Sequence, residues 1–191
     1  MLYERDMLSV QERINHADLA SACFLRSELY QNTDTILLYA AIRSELDPQR
    51  IFLQALEDGK KVYFPATEKM TDTVNKIDQN SQEPEMHFFR VHDLSELKEG
   101  NFRVPEPTDR TEEFTDLNSD AVILVPGVCF DEHGNRCGYG KGYYDCYLKD
   151  HPKLFRIGFC HEIQVLREIP HENTDVCMHL IITENGRKDI K

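Results

Sequence analysis

The stretch from Asp120 to Leu148 reads DAVILVPGVCFDEHGNRCGYGKGYYDCYL and joins an apolar run to a glycine-rich loop. The run that ends at Pro126 and Gly127 is typical of a buried strand. From Gly142 to Leu148 the apolar residues have near-helical spacing. A strand, an irregular loop and a helix in this order predict an α/β fold. The loop then lies at the carboxyl end of a sheet, where ligands usually bind in such folds.

The rest of the chain contains four more strand candidates and two more helix candidates. The strand candidates are the apolar runs DTILLYAA (Asp34 to Ala41), KKVYFPA (Lys60 to Ala66), FRIGFC (Phe155 to Cys160) and HLIIT (His179 to Thr183). The helix candidates are Ser9 to Leu29 and Pro48 to Leu56, the second with Asp47 as a possible N-cap. Strands that alternate with helices predict a single α/β domain over residues 1–191.

Two regions fit this alternation poorly. Thr67 to Glu85 is polar and is expected to be a loop or an insertion. Lys98 to Phe114 contains GNFRVPEPTD, whose two prolines disfavour regular structure. We therefore predict no strand or helix in either region.

Charge and length limit the functions that the chain can have. The 191 residues include 34 acidic and 22 basic side chains, for a net charge of -12. Such a field repels nucleic acids and anionic membranes, so neither is an expected partner. No run is long enough to span a membrane, and MLYERDMLSV lacks the apolar core of a signal peptide, so we expect a cytoplasmic protein.

Cysteine and histidine spacing indicates no further site. The six cysteines contain no C-x-x-C pair, so neither a zinc site nor a redox motif is expected. His161, His171 and His179 are well separated and are expected to be structural or surface residues. Cys129 and Cys137 flank the glycine-rich loop without a basic partner, which argues against a catalytic thiol.

The glycine-rich loop has the chemistry of a phosphate site. Gly138, Gly140 and Gly142 remove side chains that would keep a phosphate from the backbone N–H groups. Lys141 and Arg136 add positive charge, and a helix that begins at Gly142 would favour the same anion. Neither a Walker A loop nor a Rossmann fingerprint matches. A tight connection without a ligand therefore remains the alternative.

Two aspartates are candidate magnesium ligands. Asp145 follows the glycines by one helical turn, and Asp175 precedes the last strand candidate. Mg²⁺ is usually held by one or two carboxylates together with phosphate oxygens. The alternative for Asp145 is an ordinary first-turn aspartate that the helix dipole stabilises.

The segment PGVCFDEHGNRCGYGKGYYDCYL resembles the signature of the 5-formyltetrahydrofolate cyclo-ligase family, roughly PG-x-x-F-D-x-x-G-x-R-L-G-x-G-x-G-Y-Y-D-x-x-L. Similar segments outside it are ELDPQRIFLQALEDGKKVYFPA, MHFF, GNFRVPEP and IGFCHEIQVLREIPHENTDVCMHLIITENG. The resemblance implies a three-layer α/β/α domain with a mostly parallel sheet, like the ribose-phosphate isomerase and CoA-transferase superfamily. It also implies ATP- and Mg²⁺-dependent closure of 5-formyltetrahydrofolate to 5,10-methenyltetrahydrofolate, with release of ADP and phosphate.

The resemblance assigns roles to individual residues. The implied ATP-binding loop consists of Arg136, Cys137, Gly138, Tyr139, Gly140, Lys141, Gly142, Tyr143 and Tyr144. Within it, Arg136 and Lys141 are the implied catalytic groups, and Asp145 and Asp175 the implied magnesium ligands. The implied folate contacts are Glu45, Phe64, Met86, Phe102 and Tyr143.

The chain also departs from the family pattern. Cys137 replaces the usual leucine, and Thr174 replaces a frequent histidine. The family usually starts with a basic K-x-x-L-R helix, so we expect a shortened N-terminal helix here, with Arg5 as a possible substitute. The alternatives are a catalytically silent folate- or nucleotide-binding relative, and a sugar-phosphate or acyl-CoA enzyme. The joint presence of the loop cations, Tyr144 and both aspartates favours an active ligase. We expect a monomer or a homodimer.

Overall fold

The computed structural model of the chain describes residues 1–68, 84–116, 120–172 and 174–190. Its helices are α1 (Leu2–Asp6), α2 (Val10–Leu25), α3 (Glu28–Asn32), α4 (Gln49–Glu57) and α5 (Tyr143–Asp150). Its strands are β1 (Thr35–Leu37), β2 (Lys61–Thr67), β3 (Met86–Arg90), β4 (Leu97–Glu99), β5 (Pro105–Pro107), β6 (Val122–Val125), β7 (Cys129–Asp131), β8 (Arg136–Cys137), β9 (Phe155–Phe159), β10 (Val165–Leu166), β11 (Leu180–Thr183) and β12 (Gly186–Asp189).

Seven strands form a central sheet in the order β12-β11-β9-β6-β1-β2-β3. The five inner strands are parallel, and β12 and β3 pair antiparallel at the two edges. From β1 the chain proceeds to β2 on one side, whereas from β6 it proceeds to β9 and β11 on the other. The adjacent strands β1 and β6 therefore mark the topological switch point of the sheet.

The sheet is covered on both faces, as the run VILV in β6 requires. Val122 and Leu124 point to a cluster that includes Phe24 of α2 and Phe52 of α4. The alternate residues, such as Ile123, point to a second cluster that includes Tyr147 and Leu148 of α5. A strand that is apolar at every position is typical of such a sheet. The predicted α/β architecture with a mostly parallel sheet is confirmed.

All five predicted strands are present, but the first predicted helix ends earlier than expected. The helix α2 begins after Ser9, whose side chain forms a capping box with Glu12. It stops at Leu25 instead of Leu29, because Ser27 is extended and its hydroxyl accepts a hydrogen bond from Tyr30 N, which begins α3. The helix α4 begins at Gln49 with Pro48 as its N-cap, so the prediction of Asp47 as N-cap is wrong by one residue, although the Asp47 side chain accepts a hydrogen bond from Gln49 N.

The prediction of no regular structure between Lys98 and Phe114 is also wrong. Strands β4 and β5 pair antiparallel there despite both prolines. The ladder bonds are made at alternate positions, from Gly100 N to Val104 O and from Thr108 N to Glu96 O. Pro105 and Pro107 occupy the positions between these bonds, where no N–H is needed.

The prediction of a loop from Thr67 to Glu85 falls mostly outside the described residues. The strand β3 follows this region and was not predicted as a strand. In the described part of the chain, no helix has the length and apolar character that crossing a bilayer requires.

Candidate active site

The glycine-rich loop lies beyond the carboxyl end of β6, at the switch point of the sheet. The segment that follows β1 contacts the loop there. The hydroxyl of Tyr139 in the loop donates a hydrogen bond to Glu45 Oε1 of this segment at 2.9 Å. Glu45 also accepts a hydrogen bond from Ile42 N through Oε2. The predicted position of the loop at the carboxyl end of the sheet is confirmed.

A buried aspartate fixes the start of the loop. The carboxylate of Asp131 accepts hydrogen bonds from the backbone N–H groups of His133, Asn135 and Ile169 and from the Asn135 side chain. These contacts hold the turn between β7 and β8, which pair antiparallel. Arg136 follows Asn135 and is the first residue of β8, so these contacts fix the position of its backbone.

Arg136 is the most constrained cation of the loop. Its side chain is only 5% exposed, and Nη2 donates to Asp145 Oδ2 at 2.8 Å. Its guanidinium lies over the Tyr144 ring, 5.5 Å from the centroid. A Cβ at position 138 would be 2.6 Å from Arg136 Nη1, so a side chain there would displace the guanidinium from this position. The buried Arg136 Nε has no hydrogen-bond partner among the described residues.

The helix α5 begins at the end of the loop without a side-chain cap. Its N-cap is Gly142, with φ 72°, a left-handed conformation that favours glycine. The first N–H groups of the helix are therefore available to an anion. Lys141 is exposed beside them, and its Nζ lies 5.4 Å from the centroid of the Phe102 ring.

The predicted folate contacts fall into separate groups. Phe102 is 62% exposed and meets Tyr143 edge to face, with 6.3 Å between ring centroids. Met86 is buried in the hydrophobic cluster against which Tyr143 packs. Phe64 is not with them, because it is buried in the cluster on the opposite face, against Phe52.

The sequence predicted Arg5 only as a possible substitute for the basic N-terminal helix of the family, and it did not identify Ser44. Arg5 is buried, and its Nε donates to Ser44 Oγ at 3.0 Å. Its Nη2 donates to the Tyr139 hydroxyl at 2.9 Å, and Nη1 to Gly127 O at 3.4 Å. Arg5 is 39 positions from Ser44 and 134 positions from Tyr139 in the sequence, so no local motif reveals these contacts.

Opposing effects act on the carboxyl group of Glu45. Burial raises the pKa of Glu45, whereas the hydrogen bonds from Ile42 and Tyr139 and the nearby charge of Arg5 lower it, and the net pKa is raised. Burial and the carboxylate of Glu45 also raise the pKa of Tyr139. The phenol therefore remains protonated at neutral pH and donates to Glu45.

The two predicted magnesium ligands lie on neighbouring segments. Val176 N, next to Asp175, approaches Asp145 Oδ1 at 3.4 Å. Asp175 Oδ2 accepts a hydrogen bond from Glu172 N at 2.8 Å. Two carboxylates beside a loop that can take phosphates are a donor set that suits Mg²⁺.

This arrangement defines the class of the protein. A loop at the switch point of a parallel sheet, with a buried arginine, a lysine and an open helix N-terminus, is typical of α/β proteins that bind phosphorylated ligands.

The chain belongs to the 5-formyltetrahydrofolate cyclo-ligase family, whose sequence profile matches residues 1–184. It is 28% identical over 183 residues to a probable 5-formyltetrahydrofolate cyclo-ligase of Caenorhabditis elegans, covering 93% of this chain and 85% of the relative. It is also 28% identical over 151 residues to 5-formyltetrahydrofolate cyclo-ligase of Escherichia coli K12, covering 78% and 77%. The solved 5,10-methenyltetrahydrofolate synthetase of Aquifex aeolicus superposes with a TM-score of 0.80 and 27% identity, covering 100% of this chain and 89% of that one. The family and the cyclo-ligase reaction predicted from the sequence are confirmed, and the roles of the site residues stay predictions.

Proposed function

We propose that the chain closes 5-formyltetrahydrofolate to 5,10-methenyltetrahydrofolate with ATP, and that the loop from Arg136 to Tyr144 binds the ATP phosphates. Family membership supports the reaction. The observation that carries the site is the buried side chain of Arg136, whose Nε has no hydrogen-bond partner among the described residues. Leaving a buried charged donor unpaired is costly, and a phosphate oxygen would satisfy it.

The formyl oxygen of the substrate is a poor leaving group, so the reaction has to convert it into a better one. In the proposed mechanism the formyl oxygen attacks the γ-phosphorus of ATP and ADP departs. N10 of the folate then adds to the activated carbon and loses its proton, and the carbon–oxygen bond breaks to release phosphate. The protein has to align the two substrates and offset the charge that spreads over the phosphoryl oxygens.

Two cations of the loop suit this task in different ways. Arg136 is held by Asp145 and by the Tyr144 ring, so it can present a fixed donor. Lys141 is exposed and can follow the phosphoryl group as it moves. The N-terminal N–H groups of α5 add donors that need no reorganisation.

Asp145 and Asp175 are the proposed holders of Mg²⁺. A bound Mg²⁺ supplies positive charge to the phosphate oxygens. Asp145 Oδ2 already binds Arg136, so Asp145 keeps this guanidinium oriented whether or not its other oxygen contacts the ion.

Phe102, Tyr143 and Met86 are the proposed contacts of the folate rings. The exposed Phe102 ring and the half-buried Tyr143 ring offer apolar faces next to Lys141. A flat pterin or benzoyl group bound there would lie beside the phosphate loop. Glu45 remains a proposed folate contact. It lies outside the loop, where it accepts the hydrogen bond from Tyr139. Phe64 can act only indirectly, because it packs against Phe52 on the opposite face of the sheet.

The test measures both products in the same reaction. The wild-type chain, 5-formyltetrahydrofolate, ATP and Mg²⁺ should give the near-ultraviolet band of methenyltetrahydrofolate and one ADP for each folate closed. Arg136→Gln should lower kcat on the order of 30- to 1,000-fold, corresponding to about 2–4 kcal/mol of lost electrostatic stabilisation. The exposed Arg167 gives the matched control, Arg167→Gln, which should retain wild-type kcat.

Each alternative function gives a different result. A silent relative binds the folate or ATP but forms neither product. ADP without methenyltetrahydrofolate indicates an ATPase whose folate site is wrongly assigned. Wild-type kcat in Arg136→Gln would remove this arginine from the proposed phosphate site.

A further inference from the structure

Three potential metal ligands meet at the carboxyl ends of β9 and β11. His16 comes from α2, His161 follows β9 and Glu184 follows β11. Their ligand atoms all lie within 4.8 Å of one another. None of the three belongs to the glycine-rich loop or to the proposed folate contacts.

The distances are close to those of a tetrahedral metal site. His16 Nδ1 is 3.0 Å from His161 Nδ1 and 3.2 Å from Glu184 Oε1. With metal–ligand bonds of about 2.0–2.1 Å, two ligands of a tetrahedral zinc ion lie roughly 3.3–3.4 Å apart. Shifts of a few tenths of an ångström would therefore bring these two pairs to zinc distances, and the third pair, His161 and Glu184, lies within 4.8 Å.

Neighbouring groups orient two of the ligands. The Nε2–H of His161 donates to Ser44 O at 3.2 Å, so Nδ1 carries the lone pair that faces the other two residues. Metal-binding histidines usually donate their second ring N–H in this way. Glu184 Oε2 accepts a hydrogen bond from Glu162 N at 2.9 Å, which leaves Oε1 toward His16.

The hydrogen on His16 Nδ1 can point at only one of its two neighbours at a time. His16 Nδ1 can carry one hydrogen, but two acceptors, His161 Nδ1 and Glu184 Oε1, lie within reach of it. A hydrogen directed at one acceptor leaves the other without that donor, and His161 is fully buried. A cation placed between the three lone pairs satisfies them together.

We propose that His16, His161 and Glu184 bind one divalent transition-metal ion of the zinc type, with a fourth position open to water. Two imidazoles and one carboxylate are an established zinc ligand set. Glu184 supplies a negative charge, whereas the neighbouring Glu162 is paired with Lys188 at 2.7 Å.

The ion would join α2 to the end of the sheet. The three ligands belong to segments that are far apart in the chain, so binding closes long loops of the unfolded state and stabilises the folded one. The site also adjoins the Arg5 contacts, because Ser44 accepts from His161 through its carbonyl and from Arg5 through its hydroxyl.

The test is a metal titration of the intact chain. Protein freed of metal with a chelator is titrated with Co²⁺, whose visible spectrum reports tetrahedral coordination, and then with Zn²⁺ in competition. We expect one ion per chain and a higher melting temperature with Zn²⁺. His16→Gln and Glu184→Gln should each weaken binding on the order of 100-fold or more and abolish the thermal shift.

Two controls separate this site from other metal binding. The described residues contain a second group of three possible ligands, Glu68, Glu85 and His87, so His87→Gln is the matched variant and should bind like the wild type. The double variant Cys137→Ser/Cys177→Ser removes the two exposed thiols and should also bind normally. Far-ultraviolet circular dichroism verifies that each variant is folded.

Several results would overturn the proposal. These are no tight ion in the wild type, binding that survives both His16→Gln and Glu184→Gln, or binding lost with His87→Gln or the two thiols. If a variant fails to fold, the wild-type chain still tests the proposal, because the absence of a tetrahedral Co²⁺ spectrum and of a Zn²⁺-dependent melting shift would overturn it. The metal readouts are independent of cyclo-ligase activity.

Discussion

The two cations of the glycine-rich loop differ in how firmly the protein holds them. Arg136 is nearly buried and ion-paired, whereas the ammonium of Lys141 forms no ion pair with the described residues and lies above the Phe102 ring, 5.4 Å from its centroid. A mobile cation beside an exposed aromatic ring stands between the proposed phosphate and folate sites. Lys141 is therefore placed to act on the group that passes from one to the other.

Lys141→Ala should lower kcat on the order of 30- to 1,000-fold and change folate affinity little. The reason is that a charge acting mainly on the transferring phosphoryl group contributes about 2–4 kcal/mol in the transition state. Single-turnover formation of methenyltetrahydrofolate and separate folate titration distinguish the two effects. Lys149→Ala, on the exposed last turn of α5, is the control. Wild-type turnover in Lys141→Ala contradicts the assignment.

Asp145→Asn should raise the Mg²⁺ concentration for half-maximal activity roughly 10- to 100-fold. Asparagine keeps the shape but removes the charge, and one charge-assisted contact contributes about 1.5–3 kcal/mol. A Mg²⁺ titration at saturating ATP measures the shift, and Asp150→Asn at the exposed end of α5 is the control. If kcat falls while the Mg²⁺ curve is unchanged, Asp145 acts only by orienting Arg136.

At the scale of elements, the helix α5 and its preceding loop could be predicted because their signals are local. The apolar run of β6, the glycines and the helical spacing all lie within one short stretch. The break after Leu25 was missed because a single hydroxyl, that of Ser27, begins a new helix there. The hairpin of β4 and β5 was missed because the effect of a proline depends on ladder register, which composition does not reveal.

Gly142→Ala tests whether the left-handed start of α5 matters for ATP. Gly142 and Gly59 have nearly equal φ values of 72° and 73°, but Gly59 follows α4 and is outside the loop. Alanine at either position should cost about 1 kcal/mol or more of unfolding free energy, because a Cβ disfavours this conformation. Only Gly142→Ala should weaken ATP binding in calorimetry. Equal ATP affinity in both variants would argue against phosphate contact at the start of α5.

At the scale of the whole molecule, the sequence predicted the architecture better than the contacts between distant residues. Strand–helix alternation predicted an α/β domain with the loop at the carboxyl end of its sheet, and the family resemblance implied the three layers and the mostly parallel sheet. The placement of Phe64 on the opposite face from Met86 depends on the register of β2 and β3, which sequence alone does not show. The contacts of Arg5 depend on how α1 folds back on the sheet. The single domain and the cytoplasmic location stay predictions.

Arg5 connects the first helix to both sides of the switch point, through Ser44 after β1 and Tyr139 and Gly127 after β6. Arg5→Met should lower the free energy of unfolding by about 3–5 kcal/mol at pH 7, because it removes these hydrogen bonds and leaves buried Glu45 with only Arg43 as a nearby positive charge. The double variant Arg5→Met/Glu45→Gln should recover part of this loss.

The pH dependence of the Arg5→Met variant identifies the cause of its instability. Burial already raises the pKa of Glu45, and Arg5 opposes this, so removing Arg5 raises the pKa further. A carboxyl group whose folded pKa is raised stabilises the fold when protonated, and that contribution is lost as the pH rises through the folded pKa. The loss of unfolding free energy in Arg5→Met should therefore shrink as the pH falls from 7 to 5 in urea unfolding, and the double variant should show no such change.

Arg26→Met, at the exposed end of α2, is the control. A deficit that stays constant over this pH range in the single variant would mean that Arg5 stabilises the switch point through its packing and hydrogen bonds, and not through its charge on Glu45.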